Sequence, residues 1–112
     1  MKKRIKPDMS IKKYIGKRIK EIRKSKHLSQ EQLSEMLDIS QNALSYIETG
    51  ENFFSAETLE NLINSLEVEP YELFNFDHLQ SHDNLLGEIV KMLEENPDKV
   101  QDIYKITKAL TL

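Results

Sequence analysis

The spacing of apolar residues is helical along nearly the whole chain. In the segment 59–66, leucine and isoleucine occupy positions i, i+3, i+4 and i+7, which is the pattern of a helix with one buried side. Runs of β-branched residues are absent, and proline and glycine each occur only three times. The pattern therefore predicts an all-α protein with five short helices followed by a two-helix tail.

Polar residues that cap helices mark the second and third helices. Ser29 begins the segment Ser-Gln-Glu-Gln, in which the serine hydroxyl can accept from the amide of Gln32 while the Gln32 side chain reaches back. Ser40 is placed to cap the third helix, and Asp38 lies in the tight turn before it. Gly50 is suited to the left-handed position that ends a helix. These signals predict two short helices separated by a turn of about three residues.

The remaining helices have similar markers. Ser55 precedes the fourth helix, and Pro70 stands at the first position of a short fifth helix. Residues 77–82 are polar and are predicted to be a linker. Asn96 is expected to cap the seventh helix, with Pro97 at its first position. The sixth and seventh helices would then form an antiparallel hairpin.

The side chains expected to face the core are the apolar residues of each helical stripe. In the five-helix part of the chain they are Ile11, Ile15, Ile19, Ile22, Leu33, Met36, Leu37, Ala43, Leu44, Ile47, Leu59, Leu62, Ile63, Leu66, Tyr71, Leu73, Phe74 and Phe76.

The charge of the chain is divided unevenly. Residues 1–27 contain 12 basic and 2 acidic residues, a net charge of +10, whereas residues 28–112 contain 4 basic and 17 acidic residues, a net charge of −13. Such an asymmetry indicates a polyanionic partner for the basic part. The basic arm carries Lys2, Lys3 and Arg4, and Lys17 lies on the exposed side of the first helix.

Several classes of function are disfavoured. The chain has no cysteine, so disulfides and thiolate metal sites are excluded. His78 and His82 have helical ligand spacing but no third ligand, so no metal site and no cofactor are predicted. No nucleophile elbow or glycine-rich phosphate loop occurs, and the chain is predicted not to be an enzyme. No apolar run has the length of a signal peptide or a membrane span, so we expect a soluble, intracellular protein that does not contact a membrane.

The second and third helices have the form of a helix-turn-helix. The DNA major groove admits one helix, and the first turns of that helix reach the base edges. Short polar side chains are needed there, and the third helix offers Ser40, Gln41, Asn42, Ser45 and Tyr46. Glutamine and asparagine can form two hydrogen bonds with adenine.

The order and spacing of several motifs agree with this interpretation. They are R-I-K-x-I-R at Arg18–Arg23, S-Q-x-x-L at Ser29–Leu33, S-Q-x-x-L-S-x-I-E-x-G at Ser40–Gly50, S-x-E-T-L at Ser55–Leu59 and P-Y-E-L-F at Pro70–Phe74. With these motifs, residues 15–74 resemble the DNA-binding domain of the phage repressor/Cro (XRE-type) family. The resemblance implies a five-helix repressor-like helix-turn-helix domain followed by the C-terminal two-helix hairpin.

The resemblance also implies roles for individual residues. Contacts with DNA bases are expected from Gln41, Asn42, Ser45 and Tyr46. Contacts with the DNA backbone are expected from Gln30, Ser40, Thr49 and Asn52. The charge asymmetry, and not the resemblance, adds Lys2, Lys3, Arg4 and Lys17 to the expected backbone contacts. Arg18 and Glu48 occupy the positions of an ion pair that would tie the first helix to the third.

The loop after Gly50 departs from the family pattern, in which it is usually basic. Its sequence here is Glu-Asn-Phe-Phe, and Glu51 facing a phosphate would be unfavourable. We therefore expect phosphate contacts in this loop only from backbone amides and Asn52.

The predicted organisation has four parts: a basic arm (1–10), the helix-turn-helix domain (11–76), a linker (77–82) and the hairpin (83–112). A single reading helix offers few contacts, so a homodimer on a palindromic double-stranded DNA operator is expected. The dimer contacts would come from Leu86, Ile89, Val90, Leu93, Val100, Ile103, Tyr104 and Leu110. The predicted function is that of a sequence-specific transcriptional regulator, in the form of a repressor. The resemblance implies a cytoplasmic protein of a bacterium or its phage that associates with the nucleoid when it binds DNA.

Two alternatives remain at this point. The acidic hairpin could bind a different protein, as in an antitoxin or an adaptor, with DNA binding secondary. The basic arm could instead bind RNA, in which case the third helix would not read bases.

Overall fold

The computed structural model of the protein describes residues 10–79 and 81–112. Its helices are α1 (Ile11–Ser25), α2 (Gln30–Leu37), α3 (Gln41–Thr49), α4 (Ala56–Leu66), α5 (Pro70–Leu73), α6 (His82–Glu95) and α7 (Val100–Thr111). Two short 3₁₀ turns, Asp77–Leu79 and Pro97–Lys99, precede α6 and α7. No strand occurs in the two described ranges, and the all-α prediction is confirmed. The predicted arm residues Lys2, Lys3 and Arg4 lie outside these ranges.

The chain divides into two compact units, Met1–Leu79 and Gln80–Leu112. The first contains α1 to α5 and the second contains α6 and α7. No helix in residues 10–79 or 81–112 is long and apolar enough to cross a membrane.

Serine side chains cap the helices as the sequence predicts. Ser29 completes a full capping box, because its hydroxyl accepts from the Gln32 amide and the Gln32 side chain accepts from the Ser29 amide. The Ser40 hydroxyl accepts from the Ala43 amide at 3.0 Å, which fixes the first turn of α3.

The core of the first unit lies between α1, α2, α3, α4 and α5. Its buried apolar residues are Ile15, Ile19, Ile22, Leu33, Leu37, Leu44, Ile47, Leu62, Leu66 and Leu73. Because every one of these side chains belongs to a predicted helical stripe, the periodicity identified most of the core.

Four expected core residues are wrong, and the short helices explain three of them. Met36 is 48% exposed, because Leu33, Leu37 and the small Ser34 occupy the inward side of the two-turn helix α2. Helix α5 has a single turn, so only Leu73 reaches the core. The two aromatic residues on α5 and after it, Tyr71 and Phe74, are exposed.

The fourth correction concerns the start of α1. Ile11 is 38% exposed, and Tyr14 is buried in its place. The Tyr14 ring stacks on the ring of Phe76, with the centroids 5.0 Å apart. This contact fixes the segment after α5 against α1.

The second unit has no buried side chain in residues 81–112. Apolar residues of α6 and α7, among them Ile89, Met92, Leu93 and Ile103, line an open cleft of about 340 Å³. Both helices therefore turn apolar side chains toward this cleft, and no described side chain of this unit covers it.

The predicted cap of α7 is wrong. The Asn96 side chain donates to the Met92 carbonyl at 2.8 Å, which satisfies the end of α6 instead. Pro97 opens the 3₁₀ turn that leads into α7. The asparagine amide reaches back by four residues because the last carbonyls of a helix lack partners within it.

Candidate nucleic-acid interface

A tight turn separates α2 from α3. Asp38 has a left-handed backbone, with φ 54° and ψ 45°, and its amide donates to carbonyls in the last turn of α2. Aspartate adopts this conformation more readily than most residues. Ser40 then caps α3, so the two helices follow each other as the sequence predicts.

The polar residues of α3 lie on one side of the helix. At 3.6 residues per turn, Gln41, Asn42, Ser45, Tyr46 and Thr49 fall within an arc of roughly 140°. All of them are exposed except Ser45, which is half-buried. The arc places the predicted base-reading side chains on one surface.

The opposite side of α3 is buried. Leu44, Ile47 and Glu48 face the interior, and Ala43 is half-buried. The exposed side of this helix therefore carries no acidic residue, since the only one on α3 is Glu48. A neutral polar surface of this kind can approach a polyanion without charge repulsion.

Glu48 forms a buried ion pair with Arg23. Its Oε2 atom accepts from Arg23 Nε at 2.7 Å, and its Oε1 atom accepts from Arg23 Nη2 at 3.0 Å. Both side chains are almost completely buried. The Nη1 atom of Arg23 also donates to the carbonyl of Leu28, so one guanidinium connects α1, the start of α2 and α3.

The predicted pairing of Arg18 with Glu48 is wrong. Arg18 pairs with Glu21, and its Nε atom donates to the Glu72 carbonyl at 2.9 Å, which ties α1 to α5. Five residues separate Arg18 from Arg23, so the two side chains point about 140° apart around the helix. Only Arg23 lies on the side of α1 that meets α3.

Gly16 is the residue that allows this close packing. A Cβ atom on Gly16 would lie 2.4 Å from the carbonyl oxygen of Ile47 and 2.7 Å from that of Glu48. The backbones of α1 and α3 therefore touch at this point. Gly16 and Arg23 are seven residues apart, or two helical turns, and this spacing is the sequence signal that could have identified Arg23 as the partner of Glu48.

Gln30 has a structural contact in addition to its expected role. Its Nε2 atom donates to Glu48 Oε1 at 3.0 Å, which attaches the first turn of α2 to the ion pair. A glutamine amide has two protons, so one donor remains for a phosphate. The contact of Gln30 with the DNA backbone stays a prediction.

Ser40 and Thr49, two other residues expected to contact the DNA backbone, differ in whether their hydroxyl proton is free to be donated. The Ser40 oxygen accepts from the Ala43 amide, and within residues 10–79 and 81–112 its own proton has no acceptor. The Thr49 hydroxyl donates to the Tyr46 carbonyl at 3.2 Å. Ser40 is thus the better placed of the two as a phosphate donor.

The loop after α3 uses its amides internally. The backbone N–H groups of Glu51 and Asn52 both donate to the Tyr46 carbonyl, at 3.0 and 3.1 Å. These two amides are therefore not free for phosphate, contrary to the expectation for this loop. The Asn52 side chain is exposed.

The rings of Phe53 and Phe54 stack, with centroids 4.1 Å apart, and Phe54 packs on the core.

Lys17 is exposed and makes no ion pair among the residues that the structure describes. No cluster of three or more possible ligands for a metal ion occurs in the described segments.

The helix-turn-helix arrangement has counterparts among known proteins. A family model described as helix-turn-helix (HTH_3) matches residues 19–73. The restriction-modification controller protein C.AhdI from Aeromonas hydrophila is 31% identical, and the match covers 55% of this chain and 92% of that chain with a TM-score of 0.52. The chain belongs to the helix-turn-helix (HTH_3) family.

Other solved structures extend the comparison for this family member. An HTH_3 family transcriptional regulator from Vibrio cholerae is 30% identical over 60% of this chain and 38% of that chain, with a TM-score of 0.55. The clp gene regulator ClgR from Corynebacterium glutamicum, at 20% identity, shares the fold over 79% of this chain and 95% of that chain, with a TM-score of 0.62. No curated protein matches the sequence significantly.

These comparisons establish the general role of the chain. The family and its solved members are transcription regulators and not enzymes. This helix-turn-helix protein is therefore a DNA-binding regulator, and the resemblance to XRE-type proteins is confirmed.

Proposed function

We propose that this helix-turn-helix regulator is a repressor that binds a palindromic operator as a homodimer. Each subunit inserts α3 into the major groove of one half-site. The two half-sites lie one helical turn of DNA apart, about 34 Å. Binding represses transcription by covering the promoter.

The observation that carries this proposal is the polar arc of α3. Gln41 and Asn42 lie in the first turn of the helix, which is the part that reaches base edges in this type of domain. Their amides can donate and accept together, as the N6 and N7 atoms of adenine require. Tyr46 is 47% exposed on the same side, one turn further along, and the half-buried Ser45 lies within the arc.

The acidic residue of α3 does not oppose this approach. Glu48 is only 5% exposed, and its charge is balanced by Arg23 inside the domain. The buried pair also fixes the orientation of α3 against α1. We infer that Glu48 supports the reading helix and does not face DNA.

Affinity comes from a different part of the chain. Lys17 is exposed on α1, and Lys2, Lys3 and Arg4 precede it in the basic arm. Contacts between lysine and phosphate add affinity without sequence preference, because they release counterions from the DNA. Gln30, Ser40, Thr49 and Asn52 are proposed to add neutral backbone contacts that set the position of α3.

The proposed dimer forms through the second unit. Its apolar side chains are mostly exposed, which is unusual for a surface that serves no interaction. The proposed contact residues are Leu86, Ile89, Val90, Leu93, Val100, Ile103, Tyr104 and Leu110, and all but the half-buried Leu93 are at least 37% exposed.

The charge of the second unit favours a second copy as its occupant. Helix α6 has a net charge of −3, whereas α7 has a net charge of +1. In a symmetric pair, α6 of one copy can therefore lie beside α7 of the other with charges of opposite sign. A two-fold interface of this kind also places two α3 helices on a palindrome.

The role of α3 can be tested on duplexes selected from a random pool by the wild-type protein. Gln41→Ala should weaken binding to the selected sequence by ~1–3 kcal/mol and relax the preference at one base pair of each half-site. Asn64→Ala is the matched control, since it removes an exposed amide from α4. Unchanged affinity and base preference in Gln41→Ala would contradict the proposal and would favour binding through the basic arm alone.

A further inference from the structure

The first turn of α1 rests directly on the end of α3. A Cβ atom on Gly50 would lie 2.7 Å from Cγ, 2.8 Å from Cα and 3.0 Å from the amide nitrogen of Lys13. Gly50 is the cap of α3 and has a left-handed backbone with φ 82°. The absence of a side chain at Gly50 therefore serves two purposes, the turn and the contact with Lys13.

This contact determines where the Lys13 side chain begins. Its Cγ atom lies over Gly50, one residue beyond the end of α3, and the rest of the side chain is flexible and exposed. Lys13 makes no ion pair with any residue in 10–79 or 81–112. Its charge is thus available to a partner that approaches the end of α3.

The neighbouring loop cannot supply such a charge. Residues 51–54 contain no basic side chain, and Glu51 is acidic and exposed. The amides of Glu51 and Asn52 are bound to the Tyr46 carbonyl. Among the groups that the structure shows next to Gly50, Lys13 is the one with a positive charge.

A helix in the major groove has a sugar-phosphate strand on each side, because the groove is only about 12 Å wide. At the start of α3, the Ser40 hydroxyl and the Gln30 amide are available for one strand. At the other end of α3, the strand would meet Gly50 and the groups that surround it.

We propose that Lys13 binds a phosphate of the operator beside the C-terminal end of α3. It supplies from α1 the positive charge that the loop after α3 lacks, and it offsets the acidic Glu51. This inference rests on the proposed insertion of α3 into the major groove. It adds a backbone contact from a helix that does not enter the groove.

The test compares Lys13→Gln with Lys24→Gln on the selected duplex over a range of salt concentrations. Glutamine keeps the Cγ atom that packs on Gly50 and removes the positive charge. Lys24 is exposed on the same helix without an ion pair among the described residues, but 11 residues away, or about 16 Å. Both variants lower the net charge equally, so general attraction is matched.

The logarithm of the DNA association constant falls linearly with the logarithm of the salt concentration. Lys13→Gln should make this slope less steep by about 0.9 for each bound subunit, and Lys24→Gln should change it much less. The base preferences should stay those of the wild type in both variants. Adding Glu51→Lys to Lys13→Gln should restore most of the lost slope, since it places a positive charge in the adjacent loop.

Equal effects of Lys13→Gln and Lys24→Gln would overturn the inference, as would the absence of any rescue by Glu51→Lys. Gln41→Ala separates this result from the function itself. Gln41→Ala could relax the base preference while Lys13→Gln has the same effect on the salt slope as Lys24→Gln. In that case α3 reads the DNA and Lys13 does not contact it. If Gln41→Ala has no effect, the proposed role of α3 fails first.

Discussion

The Arg23 guanidinium and the Glu48 carboxylate form a two-point ion pair inside the domain, at 2.7 and 3.0 Å. The pair joins α1 to α3, and Gln30 and the Leu28 carbonyl complete its hydrogen bonds. A buried ion pair is favourable only when its remaining hydrogen-bonding capacity is satisfied in this way. The relationship explains how α3, which contains a glutamate, can present a neutral surface.

Removing one partner of this pair should destabilise the domain strongly. Glu48→Gln or Arg23→Met leaves an uncompensated buried charge or a broken network, and we expect a loss of ~3–5 kcal/mol in the free energy of unfolding. Urea denaturation of the single and double variants measures their coupling. The coupling between Arg23 and Glu48 should be large.

Arg18→Met, combined with Glu48→Gln in a second double-mutant cycle, is the control. Arg18 contacts Glu21 and the Glu72 carbonyl and not Glu48. Its effect and that of Glu48→Gln should add within about 0.5 kcal/mol. Strong coupling of Glu48 to Arg18 and none to Arg23 would contradict the packing described for α1 and α3.

The contact between Gly16 and α3 predicts that even one methyl group is too large there. A Cβ atom would meet backbone oxygens at 2.4 and 2.7 Å, and the backbone cannot move aside without shifting α3. Gly16→Ala should therefore cost ~1–3 kcal/mol of stability, as overpacking does, and should also weaken DNA binding.

Gly87→Ala is the matched control for that substitution, since no atom lies within 4 Å of a Cβ at Gly87 in α6. Alanine in an exposed helix should stabilise by about 0.5–1 kcal/mol. Thermal unfolding followed by circular dichroism distinguishes the two directions. A stabilising Gly16→Ala would show that α1 and α3 do not touch as described.

The Glu21 side chain predicts a pH dependence of stability. Burial raises the pKa of Glu21, but hydrogen bonds and charges from His78 and Arg18 outweigh it, so the pKa lies below its ordinary value of 4.5. A lowered pKa means that the unfolded chain binds the proton more tightly. The stabilisation is therefore present above pH 4.5 and is lost as the pH falls through the folded pKa.

Glu21→Gln removes the titrating carboxyl group, so the difference between the two proteins gives the contribution of Glu21 to the free energy of unfolding. The difference in unfolding free energy between wild type and Glu21→Gln should be below about 1 kcal/mol at pH 5.5, because the ion pair is partly exposed. It should shrink as the pH is lowered below 4.5. A difference that grows toward acidic pH would have the wrong sign.

The exposed cleft of α6 and α7 predicts the oligomeric state. Ile103→Asp places a charge in the proposed interface on both subunits. Each of the two substituted side chains should lose ~1.5–3 kcal/mol of burial free energy. The dissociation constant of the dimer should therefore rise by about 10²- to 10⁴-fold. Leu112→Asp, at a side chain that is 96% exposed, should leave association unchanged.

Sedimentation equilibrium measures this directly. A wild-type protein that is monomeric at micromolar concentrations would remove the dimer from the account. The cleft would then be assigned to a different protein partner, the alternative that the acidic hairpin raised from sequence.

Much of the fold was predictable because its signals are local. Serine caps, the left-handed Asp38 and Gly50, and the stripe of α4 depend on neighbours within one or two turns. The capping box at Ser29 is present as predicted. Local chemistry also identified the polar arc of α3, whose role in DNA contact stays a proposal.

The wrong ion-pair prediction concerns a contact between distant segments. Choosing Arg18 as the partner of Glu48 required knowing which side of α1 meets α3, and Gly16 marks that side only when the close approach is recognised. Lys13 is one of 12 basic residues in positions 1–27, and only its position over Gly50 distinguishes it from the others. The exposed Tyr71 has a local cause instead, the single turn of α5.

The central claim is that α3 reads a palindromic operator in a dimer. Selection of bound duplexes from a random pool by the 112-residue chain tests it most directly. We expect an enriched consensus of two inverted half-sites, centred about 34 Å apart, with base preferences that Gln41→Ala relaxes. No enrichment, or a consensus without two-fold symmetry, would contradict it.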